Sequence, residues 1–169
     1  SNKIAYGKRR RYFGGKQLDS VMNYPLRKAV ISYIRDGNTE EFRHCTDTIY
    51  RQYPKDVSDV LMNFLGTHDT ARILTELGGQ SGDGLSYADK SAIRMTDDER
   101  SLAVKRLKIA YALIAAMPGM PCVFYGDEVG MEGYSDPFCR RTFPWGREDA
   151  ELLSHYRLLG DFRRRHAAL

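Results

Sequence analysis

Two short apolar runs, residues 60–65 and 121–126, constrain this chain most. Each has the length of a strand, each ends at a glycine (Gly66 and Gly126), and a carboxylate follows each (Asp69 and Asp127). A short apolar run bounded by turn residues reads as a strand buried on both faces. Between the runs lies a long helical pattern carried by Leu102, Val104, Leu107, Ala110, Tyr111, Ile114 and Ala115. Thr96 is suited to cap it, Asp97, Asp98 and Glu99 fill its first turn, and Pro118-Gly119 stops it. Buried strand, helix, buried strand is the signature of parallel strands joined by helical crossovers.

Flanking signals extend the alternation. Residues 18–23 read as a short strand. Pro25 opens a helix with apolar positions at Leu26, Ala29, Val30, Tyr33 and Ile34, which Asp36-Gly37-Asn38 ends. A second helix starts at Thr39 and stops before Pro54. Residues 78–84 form a glycine-rich loop and 130–145 a loop rich in Gly, Pro and charge. Asp149 caps a last helix with Leu152, Leu153, Tyr156, Leu159 and Phe162 on its apolar side. The expected fold class is therefore α/β with about three βα units. A complete eight-stranded barrel takes ~250 residues, more than the 169 present. With 42% hydrophobic and 28% charged residues the composition is that of an ordinary globular protein, and one domain rather than several is expected across residues 1–169.

Several function classes recede. No apolar stretch reaches the ~18 residues of a membrane span; the longest candidate, 109–117, lies in an amphipathic context. The net charge of +4 is concentrated in Lys8-Arg9-Arg10-Arg11 and Arg163-Arg164-Arg165. No nucleic-acid motif accompanies them, so solvated helix ends and loops are the expected reading. Three cysteines, Cys45, Cys122 and Cys139, lack CxxC spacing. That argues against a zinc site or a disulfide framework and favours a reducing, cytoplasmic compartment. The chain begins at Ser1 without a visible export signal; its natural N-terminus is expected to lie further upstream, which leaves export open.

The chemistry-bearing residues cluster after the two runs. Asp69 is either a catalytic carboxylate at a strand end or an Asx turn capping the next segment. His68 beside it suits a substrate hydroxyl or a satisfied histidine at the strand mouth. Arg72, three residues on, is placed to pair with Asp69 on a shared helical face. Asp127-Glu128 could serve as an acid and a base, or as turn caps. Tyr125, Tyr134, Phe143 and Trp145 offer aromatic faces for sugar rings or ordinary packing.

At these segments the chain resembles glycoside hydrolase family 13, the α-amylase family, most nearly its neopullulanase and cyclomaltodextrinase branch. Leu65-Gly66-Thr67-His68-Asp69-Thr70-Ala71-Arg72 resembles the family's last motif, after barrel strand seven. Residues 117–131 resemble strand eight and its loop, and Asp136-Pro137-Phe138-Cys139-Arg140-Arg141-Thr142-Phe143-Pro144-Trp145 resembles the loop that follows. The resemblance implies a partial (β/α)8 barrel, strands six to eight, acting on α-glucan oligosaccharides. It makes Asp69 the transition-state stabiliser and His68 and Arg72 substrate-binding residues. The family's nucleophilic aspartate and acid/base glutamate have no counterpart here. The chain alone is therefore expected to be inactive, to need the upstream barrel half as partner, and to self-associate through open sheet edges. Val60, Met62, Phe64, Val123 and Tyr125 are the candidates for exposure there. Calcium is common in the family, yet the sequence has no clear oxygen-ligand cluster, and no cofactor is called for. A non-catalytic glucan-binding fragment and a purely structural fragment are the alternatives.

Overall fold

Helix signals in the sequence are honoured almost residue for residue. Pro25 sits in the first turn of α1 (Tyr24–Asp36), where its missing N–H costs nothing, and the Asn23 side chain accepts from Leu26 N. Gly37, at φ 72°, closes the helix in the left-handed conformation that glycine adopts most easily. Helix α2 (Thr39–Gln52) follows, then a single turn, α3 (Lys55–Ser58). The computed structural model describes Tyr12 and residues 17–166. The basic cluster at residues 8–11, and most of the expected N-terminal loop, lie outside the described residues.

Strand β1 (Met62–Phe64) pairs in parallel with β2 (Met120–Cys122), Asn63 opposite Pro121. The connection contains α4 (Ile73–Gly78), α5 (Tyr87–Ala92) and the long α6 (Asp97–Ala116). Both expected strands are shorter than their apolar runs. After Cys122 the backbone leaves the sheet and turns, Asp127 N donating to Phe124 O at 3.0 Å, so Val123, Phe124 and Tyr125 are not in the strand. The expected strand at 18–23 reduces to one parallel bridge between Met22 and Met62, on the edge of β1 opposite β2. Helices α3 and α5 were not foreseen, being too short to show a period.

Helix α6 carries the fold's main apolar seam. Ala103, Leu107, Ala110 and Ile114 are fully buried against α1, α4 and α7 (Ala150–Arg165). Tyr111 stacks on Tyr156 of α7, with centroids 3.8 Å apart. At the N-terminus Thr96 and Glu99 form a reciprocal capping box. At the C-terminus Arg163 of α7 donates to Ala115 O at 2.6 Å and Met117 O at 3.0 Å, satisfying carbonyls the helix cannot. One residue of the C-terminal basic cluster is thus engaged inside the fold.

A buried polar bridge aligns the starts of the strands. Asn63, fully buried in β1, accepts from Asn23 Nδ2 at 2.9 Å and donates to Pro118 O at 2.8 Å. Gly119, at φ 118°, makes that approach feasible; a Cβ there would lie 2.7 Å from Leu61 O. Phe64, expected to be exposed, is buried because Tyr24 covers it edge-on with centroids 4.8 Å apart. Val123 and Tyr125 do remain open, at 39% and 42% exposure. Among the described residues no helix is long and apolar enough to cross a membrane.

Gly119→Ala combines a left-handed backbone with a backbone clash. It is expected to lower unfolding stability by more than about 1 kcal/mol, seen as a lower urea midpoint with an unchanged slope.

Candidate active site

Helix α6 ends where β2 begins, so its N-terminus lies at the C-terminal end of the strands. That is the end at which barrel enzymes place their chemistry. Two loops meet there: residues 65–72 after β1 and residues 123–141 after β2.

His68 and Asp69 stand at the mouth of the first loop. Both side chains are about three-fifths exposed, at 60% and 61%, with His68 Nε2 3.2 Å from Asp69 Oδ1. Asp69 does not cap a helix. Its N–H donates to Thr67 Oγ1 at 3.3 Å, within a turn also closed by Thr70 N donating to Thr67 O. The carboxylate is therefore open to solvent, with Oδ1 beside His68 and Arg140.

The second loop holds the first. Arg140 Nη2 lies 3.6 Å from Asp69 Oδ1, and Arg140 Nε reaches Asp136 Oδ1 at 2.7 Å and donates to His68 O at 3.1 Å. Cys139 Sγ also donates to His68 O, at 3.2 Å, and burial pushes its thiol pKa up. Sequence reasoning reads this loop as rich in Gly, Pro and charge but does not assign Asp136, Cys139 or Arg140 to the site. The partners of Cys139 and Arg140 lie some seventy positions away, beyond any local signal.

Arg72 requires a correction. It does not pair with Asp69, and with no exposed side-chain surface it cannot touch a substrate. Instead Nη1 reaches Asp127 Oδ1 at 3.1 Å and also donates to Tyr125 O, while the guanidinium lies over the Phe124 ring, 4.3 Å from its centroid. The Arg72 backbone N–H donates to Gly133 O at 2.9 Å, and Thr75 Oγ1 accepts from Gly133 N at 2.9 Å. The reason for the difference is geometric: α4 begins only after Arg72, so Asp69 and Arg72 never share a helical face. Arg72 is a positioning residue that joins the two loops.

Asp127 is not an exposed acid either. It lies buried in a 3₁₀ turn, Asp127–Val129, against Gly66, where any Cβ would collide with its carboxylate. Burial pushes its pKa up to about 7, with Arg72 pulling in the opposite direction. Among the aromatics, Tyr134 is buried, Tyr125 donates its hydroxyl to Arg141 O at 2.8 Å, and Trp145 stands four-fifths exposed beside Phe143. Among the described residues no group of three or more His, Cys, Asp or Glu side chains converges. These residues offer calcium no carboxylate-rich cage.

Replacing Arg72 by Met removes the cation beside a buried carboxyl and is expected to lower unfolding stability, most of all above about pH 7, where Asp127 is ionised. Pairing Arg72→Met with Asp127→Leu recovers part of that loss in urea unfolding, as removal of both partners should. The folded Asp127 holds its proton up to about 7, whereas an unfolded aspartate releases it near ~4. Between these values the folded state binds more protons. Stability from this group is full at the acid end and is lost as pH rises through about 7. Asp127→Asn should flatten that slope between about pH 4 and pH 7.

Comparison with known proteins gives a consistent picture. A family model described as the alpha amylase catalytic domain matches residues 5–165. An amylopullulanase of Thermoanaerobacter thermohydrosulfuricus is 39% identical over 167 residues, covering 92% of this chain and 11% of that protein. A cyclomaltodextrinase of Geobacillus thermopakistaniensis is 33% identical, covering 92% of this chain and 23% of its own length. Among solved structures, the type III pullulan hydrolase from Thermococcus kodakarensis superposes with a TM-score of 0.74 at 30% identity, covering 94% of this chain and 26% of that one. The chain thus spans between a tenth and a quarter of the length of the first two relatives.

Proposed function

This chain belongs to the α-amylase family, and from that premise we propose that it supplies strands six to eight of the (β/α)8 barrel of a retaining α-glucan hydrolase. The substrate class is maltooligosaccharides, cyclomaltodextrins or pullulan. The observation that carries the reading is the exposed His68–Asp69 pair at the C-terminal end of β1, held from behind by Arg140 and Cys139.

Retaining glycosidases place a nucleophile and an acid/base carboxyl about 5–5.5 Å apart around an oxocarbenium-like transition state. Neither role falls to a residue of this chain. Asp127 is buried and paired, and the Glu128 Oε2 atom is buried without a hydrogen-bond partner. Asp69 acts differently. Its exposed carboxylate accepts hydrogen bonds from hydroxyls of the distorting sugar and steadies the positive charge that develops on the ring. His68 holds the same sugar with its ring nitrogens. Arg140 keeps the Asp69 carboxylate oriented while bracing the His68 carbonyl, so the two ligand-facing groups move as one body. Arg72 sets the distance between the loops that carry them.

The rest of the barrel must come from the upstream half of the enzyme. Without it Met120 of β2, and Val123 and Tyr125 just past the strand, are open to water, and the isolated chain self-associates over these residues.

The purified 169-residue chain is expected to show no hydrolysis of maltotriose or cyclomaltodextrin, and light scattering at micromolar concentration to show more than monomer. Adding the upstream barrel half should restore hydrolysis. Asp69→Asn in the restored enzyme should lower kcat by about 10²-fold or more. Activity of the chain alone that survives Asp69→Asn would overturn the assignment.

A further inference from the structure

Helix α5 is a physical oddity. It has six residues, and none of them is buried. Isolated helices shorter than ~12–15 residues are marginal in water, so something other than a hydrophobic face keeps it in place. Polar anchors do so from both ends. Ser86 and Asp89 form a reciprocal capping box, and Arg141 Nη2 donates to Ser91 O at 3.0 Å. Past the helix, Met95 N donates to Glu132 Oε2 at 2.9 Å. Before it, Gly82 presses on the Tyr134 ring so closely that a Cβ would come within 2.8 Å of it. Residues 79–96 are thereby fastened to the loop after β2, at the same end of the strands as His68 and Asp69.

The helix presents an aromatic ring. Tyr87 is 68% exposed, yet its ring is braced by Phe138, with centroids 4.8 Å apart and planes at 54°. Phe138 opens the 3₁₀ turn Phe138–Arg140, whose next two residues hold His68 and Asp69. Tyr87 is therefore linked through Phe138 to the turn that holds His68 and Asp69. Its ring is open to solvent and already ordered, so a ligand that covers it loses little side-chain freedom.

We infer that residues 79–96 form a specificity element of the α-glucan site, and that Tyr87 is a platform on which a glucosyl ring away from the cleaved bond stacks. This rests on the α-glucan hydrolase reading above. Pyranose rings expose apolar C–H faces that pack on an aromatic ring, and the phenol hydroxyl supplies a polar tip for sugar hydroxyls. The platform lies on the rim, so it contacts longer substrates and misses short ones. It serves binding and takes no part in bond cleavage.

The test uses the whole enzyme that carries this chain, with maltotriose and maltohexaose as substrates. Tyr87→Ala should raise KM for maltohexaose about five- to tenfold and for maltotriose much less, with the split in KM rather than kcat. Tyr87→Phe, which keeps the ring and loses only the hydroxyl, should return the ratio of the two KM values most of the way to wild type. An equal change for both substrates, or none, overturns the platform while leaving the hydrolase reading intact. A wild-type enzyme inactive on every α-glucan overturns both.

Discussion

The buried pair of Arg72 and Asp127 is the constraint on which the rest of the structure depends. Both groups are taken out of water, at a desolvation cost that only close geometry offsets. Nη1 of Arg72 finds both of its partners, while Nε and Nη2 are buried without one. The Arg72 guanidinium has the Asp127 carboxylate, the Tyr125 carbonyl and the faces of Phe124 and Tyr125 around it. Asp127 in turn rests on Gly66, a position with no room for a side chain. The pair therefore adds little to stability for its own sake. It fixes how the segment after β1 meets the segment after β2, because Arg72 Nη1 holds the Tyr125 carbonyl and the Asp127 carboxyl together.

The opposite end of the sheet uses a neutral version of the same device. Asn63 links the N-cap residue of α1 to the carbonyl of Pro118, one step before the close approach at Gly119. Asn63, at the centre of the three-residue strand, opposes a slip of register, since a shift of one residue would bury its amide without partners. Between the two ends the apolar seam of α6 supplies bulk burial, and its caps decide where the helix starts and stops.

On this scaffold, the two ligand-facing residues are exposed because everything behind them is tied down. His68 contributes its carbonyl to Cys139 and Arg140, leaving its ring to face outward. Asp69 keeps a carboxylate that is neither a cap nor the partner of a buried cation. Arg72 was legible as a charged residue near the site. Its role was not, because a sequence shows that an arginine lies three positions from an aspartate but not whether a helix has begun between them.

What the sequence by itself determined is local. Proline and glycine punctuation, N-cap residues and apolar periodicity specify α1, α2, α6 and α7, since capping and amphipathic burial act within a few residues. The motif around His68 and Asp69 was equally legible, because it is contiguous. Tertiary structure alone decided the partners. Arg72 with Asp127, Arg140 with Asp69, Cys139 with His68, and Tyr87 on Phe138 join residues dozens of positions apart. Tertiary structure also set the true length of each strand and ordered α5, a helix without a buried face that local propensity does not support. These are matters of which surfaces meet once the chain is packed, and charge, aromatic character and spacing along the chain carry no record of that.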